Sequence, residues 1–147
     1  MWAPERAESP ATLGEFLCAA LLLAGVVATI WLVARLLELF SGTGSIGRAF
    51  EALGWEVTSL DLEGEPTIKC DILDWDYTAF PPGHFQVIWA CPVCCEFSKA
   101  LTRRPRRLEE GDCLVRRTLE LIDYFKPRFW GLENPQSGLL KTRPYME

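Results

Sequence analysis

Leu36-Leu37-Glu38-Leu39-Phe40-Ser41-Gly42-Thr43-Gly44-Ser45-Ile46-Gly47 reads as an apolar strand, a glycine turn and the opening of a helix. The strand is Leu36 to Phe40. The helix is expected from Ser45 to Leu53, with Ile46, Ala49, Phe50 and Leu53 on one face and Gly54 ending it. Glycines at 42, 44 and 47 permit a tight turn and a close approach of backbone to a ligand. A second strand, Glu56 to Leu60, ends at Asp61, where a carboxylate can accept hydrogen bonds from ribose hydroxyls. Together these features point to a nucleoside-bearing cofactor. The pattern by itself fits NAD as well as S-adenosylmethionine.

Working outward, the strand and helix signals keep alternating. Thr67 to Cys70 is a short third strand ending at Asp71, and Phe85 to Ala90 a fourth, apolar enough to be buried. A helix is expected from about Gly111 to Phe125. Its inner face is Leu114, Val115, Thr118, Leu119, Ile122 and Phe125, and its outer face Arg116, Arg117, Glu120 and Asp123. Phe129-Trp130-Gly131-Leu132 is the fifth strand. Such alternation implies parallel βαβ units, hence an α/β fold with a doubly wound, mostly parallel sheet.

Length and composition bound the rest. The chain has 147 residues, enough for one domain, and 49% of them are hydrophobic, enough for a packed core. A net charge of −5 argues against a protein that coats nucleic acid, so any such contact must come from a local basic patch. The six cysteines are irregularly spaced, unlike a secreted disulfide framework, which favours reduced thiols. Residues 1–15 are polar and rich in Pro, Ala and Glu, and are expected to be a disordered tail. Residues 16–34 contain no charged residue, close to the roughly 20 needed for a membrane-spanning helix. Arg35 and Arg48 after this run, against Arg6 before it, would leave the rest of the chain in the cytosol. The alternatives are a helix buried against the sheet, in an intracellular soluble protein, or an aberrant start. The chain is therefore expected to comprise a tail (1–15), an apolar helix (16–35) that is a candidate membrane anchor, and a partial α/β domain (36–147).

Pro92-Val93-Cys94-Cys95-Glu96-Phe97-Ser98 follows the fourth strand, at the end of the sheet where such folds bind ligands. It resembles the Pro-Pro-Cys-Gln-x-Phe-Ser motif of the cytosine-5 DNA methyltransferases. Phe40-Ser41-Gly42-Thr43-Gly44 before it and Leu132-Glu133-Asn134-Pro135 after it resemble two more of that family's motifs, in the family's order. Val93 stands in place of the second proline and Cys95 in place of the glutamine. The resemblance runs from about Leu36 to Met146. It implies a Rossmann-like methyltransferase fold, S-adenosylmethionine as cofactor and DNA as substrate, with RNA as an alternative. It assigns the cofactor loop to Phe40, Gly42, Thr43, Gly44 and Gly47, the ribose to Asp61, and the adenine side to Asp71 and Ile72.

The implied chemistry needs a thiolate to attack C6 of cytosine, which makes C5 nucleophilic toward a sulfonium methyl group, and a hydrogen-bond donor or acid at N3. The resemblance gives these roles to Cys94 and Glu133, which end strands expected to be neighbours. Pro92, Phe97, Ser98 and Asn134 would shape the substrate side. A base inside a duplex must be flipped out to be reached. Lys99, Arg103, Arg104, Arg106 and Arg107 form the local basic run, with Arg103 and Arg104 as candidate phosphate contacts.

Other readings exist for the same residues. Cys91-Pro92-Val93-Cys94 is also a Cys-x-x-Cys, the spacing of a redox pair, but that leaves Glu133-Asn134-Pro135 without a role. A zinc site would need a second ligand pair, and Cys70, His84 and Cys113 occur singly, so no metal is expected. Further strands, a Gln-x-Arg-type motif and a target-recognition region, which the family places later, are not found, so the domain is expected to be truncated, with an unprotected sheet edge. The functional alternatives are a catalytically inactive methyltransferase-like binding module and an NAD-dependent oxidoreductase. Oligomeric state and target sequence are not legible.

Overall fold

A computed structural model describes residues 33–146. The expected tail and most of the apolar helix lie outside them. Val33 and Ala34, the end of the apolar run, are not helical. Among the described residues no helix is long and apolar enough to cross a membrane.

Five strands form one all-parallel sheet: β1 (Arg35–Leu39), β2 (Glu56–Asp61), β3 (Ile68–Lys69), β4 (Val87–Ala90) and β5 (Phe129–Leu132). The spatial order is β3-β2-β1-β4-β5, so β1 is central and the chain switches direction there. β4 and β5 are neighbours, as expected, pairing Val87 with Phe129 through Ala90 with Leu132. Leu36, Leu37, Glu38 and Leu39 are all buried, because a central parallel strand is covered on both faces. Leu37 and Leu39 join Leu60, Ile88, Ala90, Leu121 and Phe125 in the main core.

Helix α1 (Ser45–Glu51) links β1 to β2, and helix α2 (Leu108–Phe125) links β4 to β5. Both differ in detail from the sequence expectation. α1 stops two residues short of Leu53, which lies in the closing turn at Gly54 (φ +82°), and Ala49 and Leu53 are exposed. Its buried contact is Gly47, where a Cβ would stand 2.5 Å from Glu38 Oε2. That close approach lets the Gly47 N–H donate to Glu38 at 3.1 Å. α2 begins three residues before Gly111. Gly111 lies within the helix because Phe97 packs on it, 2.9 Å from where a Cβ would be. Leu121 and Asp112 join the buried side of α2. Arg117 turns inward instead of outward, donating to the carbonyls of Ile72 (3.0 Å) and Trp75 (2.9 Å).

Strand–helix alternation also fails between β3 and β4. That crossing carries a short 3-10 turn, Tyr77–Ala79, in place of an α-helix. Trp75, Tyr77, Phe80 and Phe85 cover the sheet there, with ring contacts to Phe125 and Tyr124 of α2. The aromatic area substitutes for a helix face. β5 is an edge strand with Phe129 and Trp130 exposed.

A buried ion pair ties the last described residues to α2. Asp112, fully buried, accepts two hydrogen bonds from Arg143, one at 2.9 Å, and one from the Tyr145 hydroxyl. Burial alone would raise the Asp112 carboxyl, but the Arg143 and Tyr145 hydrogen bonds override it and hold the group below the usual carboxylate range. The Tyr145 phenol is pushed up to about 12, by burial and then by Asp112. Asp112→Ala leaves Arg143 unpaired and should destabilise the fold by about 3 kcal/mol at neutral pH. A lowered carboxyl stabilises above its unfolded value of about 4 and loses that contribution as pH falls through its folded value. Thermal melts should therefore show an acid-dependent loss in the parent that is shallower in Asp112→Ala; parallel curves would count against this pair.

Candidate functional site

The carboxyl ends of β1, β2, β4 and β5 meet at one end of the sheet, and each leads into a loop singled out in the sequence. After β1, Phe40 adopts φ +57°, unusual for a residue with a Cβ, and Gly42 (+52°) and Gly44 (+68°) follow in the same region. Three positive φ values within five residues fold the loop back over the strand ends. The Gly44 N–H closes the turn on the Ser41 carbonyl at 2.7 Å. After β2, the Asp61 carboxylate accepts the Gly42 N–H at 2.7 Å and the Glu63 N–H at 3.0 Å. One predicted cofactor residue thus fixes another. A carboxylate has about four acceptor positions, so two bonds leave capacity for a ligand hydroxyl.

One cavity of about 280 Å³ lies between the glycine loop, with Gly42, Thr43, Gly44 and Gly47, and β2, and two more open beside it. Of those two, the first, about 230 Å³, is walled by Phe40, Asp61, Asp71 and Ile72, all predicted, and by Leu62, Cys70, Val93 and Leu114, which sequence reasoning did not assign. Leu62 and Val93 are 60% and 51% exposed, apolar surface of the kind a planar ligand would cover. The second, about 280 Å³, is bounded by Ser41, Gly42 and Thr43 of the glycine loop on one side and by Trp89, Cys91 and Glu133 on the other. Phe40 and Cys91 line both cavities, so the two are adjacent. Trp89 was also missed. Its indole Nε1 is buried without a hydrogen-bond partner, and nothing in a strand pattern singles it out.

Cys94 stands on the exposed turn after β4 and is not in the wall of either cavity. The N–H groups of Phe97 (3.1 Å) and Ser98 (3.0 Å) close that turn on the Cys94 carbonyl. Burial first, then the nearby Glu133 and Cys94, push the Cys91 thiol up, which disfavours its thiolate. Glu133 is exposed and its N–H donates to Ala90 at 2.8 Å, which holds the start of that loop beside the end of β4. The Asn134 side chain is buried with neither amide atom partnered. Such a group calls for a ligand or a rearrangement.

Pro92 and Phe97 are buried. Phe97, with no exposed surface, packs with Val115 and Leu140 and accepts the Leu139 N–H at 2.8 Å, anchoring the loop to α2 and the final turns. Ser98 Oγ accepts the Ala100 N–H at 3.2 Å. All five residues of the basic run are exposed, but Arg104 is turned back onto Glu96, Arg106 onto the Ser98 carbonyl at 3.0 Å and Arg107 toward Glu110 at 3.4 Å, whereas Lys99 and Arg103 make no such contact among the described residues. Glu96, quoted within the motif, was given no role from the sequence. Among the described residues no group of three or more His, Cys, Asp or Glu is placed to hold a metal ion.

No protein-family model matches the chain. It is 36% identical over 121 residues to a curated protein of Frog virus 3 (isolate Goorha) described as a probable DNA (cytosine-5)-methyltransferase. The alignment takes in 73% of this chain and 56% of the relative, so the chain spans about half the length of the protein it matches. With the glycine loop, the cysteine turn and the Glu133 loop gathered at one end of a parallel sheet, this similarity establishes that the chain belongs to the cytosine-5 DNA methyltransferase family.

Proposed function

We propose that this chain carries the cofactor-binding and nucleophile-bearing part of an enzyme that methylates C5 of cytosine in DNA. The observation that carries the reading is the pair of adjacent cavities sharing Phe40 and Cys91. One offers a carboxylate and an apolar wall suited to a nucleoside. The other joins the glycine loop to Glu133 and to Cys91, three residues before Cys94. The residues present fit S-adenosylmethionine, which supplies the methyl group when bound. Asp61 would accept a ribose hydroxyl, Asp71 and Ile72 would border the adenine, and the loop from Phe40 to Gly47 would hold the amino-acid end.

Cys94 would attack C6 of a flipped cytosine as thiolate, forming the S–C6 bond. The C5–C6 π electrons move toward N3, where Glu133 donates a hydrogen bond or proton, and C5 becomes the nucleophile. After methyl transfer, a base takes the C5 proton, the C5–H electrons re-form the C5–C6 double bond, and the cysteine leaves C6 as thiolate. The raised thiol of Cys91 weighs against Cys91 itself as the nucleophile. Lys99 and Arg103, exposed beside this loop, are the cations best disposed to meet phosphate.

Calorimetry on the full chain should give binding of S-adenosylmethionine and much weaker binding of NADH. Asp61→Ala should cost roughly 1–3 kcal/mol, since it removes the ribose acceptor and also frees the Gly42 N–H. Tighter NADH binding would overturn the methyltransferase reading in favour of an oxidoreductase.

A second measurement addresses the nucleophile. DNA containing 5-fluorocytosine, with S-adenosylmethionine, should trap a covalent adduct, because fluorine blocks the final elimination. Cys94→Ser should abolish the adduct, Cys91→Ser and Cys95→Ser should leave it, and Glu133→Gln should slow its formation. An RNA strand of the same sequence tests the alternative substrate. An adduct that survives Cys94→Ser would mean the wrong cysteine has been assigned. Cofactor binding without any adduct would favour a non-catalytic binding module.

A further inference from the structure

Glu96 separates the nucleophile turn from its anchor, and it is buried, 5% exposed, beneath a surface loop. Its carboxylate takes two hydrogen bonds from the Arg104 guanidinium, one of them at 3.1 Å, and the backbone N–H of Arg107 at 2.7 Å. The Cys95 thiol approaches at 3.5 Å. Arg107 is the residue that caps α2, so Glu96 joins three segments: the turn bearing Cys94, the arginine loop and the start of the helix. The next residue, Phe97, is locked against Gly111, and Arg106 holds the Ser98 carbonyl. Every residue from Glu96 to Ser98 is thus fixed from the α2 side, while Cys94 stays exposed.

Arg104 is correspondingly committed. Its Nη1 also donates to the Pro105 carbonyl at 3.0 Å, and releasing it would leave a buried carboxylate without its cation. A phosphate would have to displace a two-pronged pair, the strongest arrangement these groups make. The Arg104 hydrogen bonds, the Arg107 N–H and then the Cys95 thiol hold the Glu96 carboxyl down at about 2 against the effect of burial, so the pair stays charged throughout the range in which such an enzyme would work.

We infer that Glu96 and Arg104 are positioning residues for methyl transfer: the pair sets the backbone that presents Cys94, and Arg104 serves the reaction through Glu96 rather than by contacting phosphate. This rests on the reading of Cys94 as the nucleophile. Displacing a reacting group by about 1 Å is enough to cost on the order of 100-fold in rate.

The experiment is the 5-fluorocytosine trapping assay on the full chain, with DNA affinity measured separately across salt concentrations. Glu96→Gln and Arg104→Gln should each slow adduct formation at saturating DNA by about 10- to 100-fold. DNA affinity, its salt dependence and S-adenosylmethionine binding should not change. The double variant should be no slower than either single one, because one interaction is removed in all three. Arg104→Lys, which keeps the charge but not the two-pronged geometry, should fall between. Arg104→Gln that instead weakens DNA binding and lowers the salt slope by about 1, at an unchanged saturating rate, would overturn the inference and make Arg104 a phosphate contact.

If the parent chain forms no adduct, the methyl-transfer reading has failed on its own, and hydrogen exchange decides the clamp. Glu96→Gln should then expose the amides of residues 95–107 while residues 112–125 stay protected; an unchanged exchange pattern would overturn the clamp itself.

Discussion

Pairing of β1 with β4, strands separated in sequence by β2 and β3, is the constraint on which the candidate site depends. It sets Leu39 opposite Ala90, so the glycine loop and the cysteine loop leave the sheet side by side. The ladder continues one bond into each functional loop. The Cys91 N–H donates to Leu39, Ser41 to Leu60 and Glu133 to Ala90. The start of each loop is therefore held by the same kind of bond as a strand residue. Because all five strands are parallel, these bonds lie at the same end of the sheet, the crevice that open α/β sheets use for ligands.

Beyond that edge, order in the loops comes from buried carboxylates. Glu38, Glu96 and Asp112 are each buried, and each ties two separate segments together: β1 to α1, the cysteine turn to α2, and α2 to the final turns. A buried carboxylate is costly unless its acceptors are filled, so each demands one arrangement of its donors. Burial raises the Glu38 carboxyl, where backbone N–H groups are its main partners, whereas arginines lower the other two. The site is polar and rigid behind the loops but apolar where it faces the solvent, at Leu62 and Val93. Asn134 is the exception, a buried amide with no partner beside the loop that carries Glu133.

Much of the architecture is legible in the chain. Short strand-like runs mark β1, β2, β4 and β5, and the residues that follow them place Asp61, Cys91 and Glu133 at strand ends. Periodicity finds α2, since Val115, Thr118 and Phe125 recur on its buried side. What periodicity misassigns is explained by contacts from elsewhere. Ala49 and Leu53 look like a helix face, but α1 ends at Glu51 and meets the sheet through Gly47. Gly111 looks like a helix start, but Glu96 supplies the cap four residues earlier and Phe97 occupies the space a side chain would need. Arg117 looks like solvent-facing charge, but carbonyls of the β3–β4 crossing, left without a helix of their own, draw it inward.

The candidate site divides along the same line. Sequence alone nominated the residues proposed to carry the chemistry and placed Asp61, Cys91 and Glu133 at strand ends, because strand patterns and local motifs depend on neighbours a few positions apart. Tertiary structure alone decided that Phe40 and Cys91 join two cavities, that Trp89 and Leu114 line them, that Phe97 is an anchor with no surface, and that Arg104 answers to Glu96. Those facts arise from strand order and from the pairing of buried charges. Strand order is set by contacts between residues distant along the chain, and the Glu96–Arg104 pair, only eight residues apart, by how the loop between them folds onto the start of α2, which no helix or strand pattern encodes.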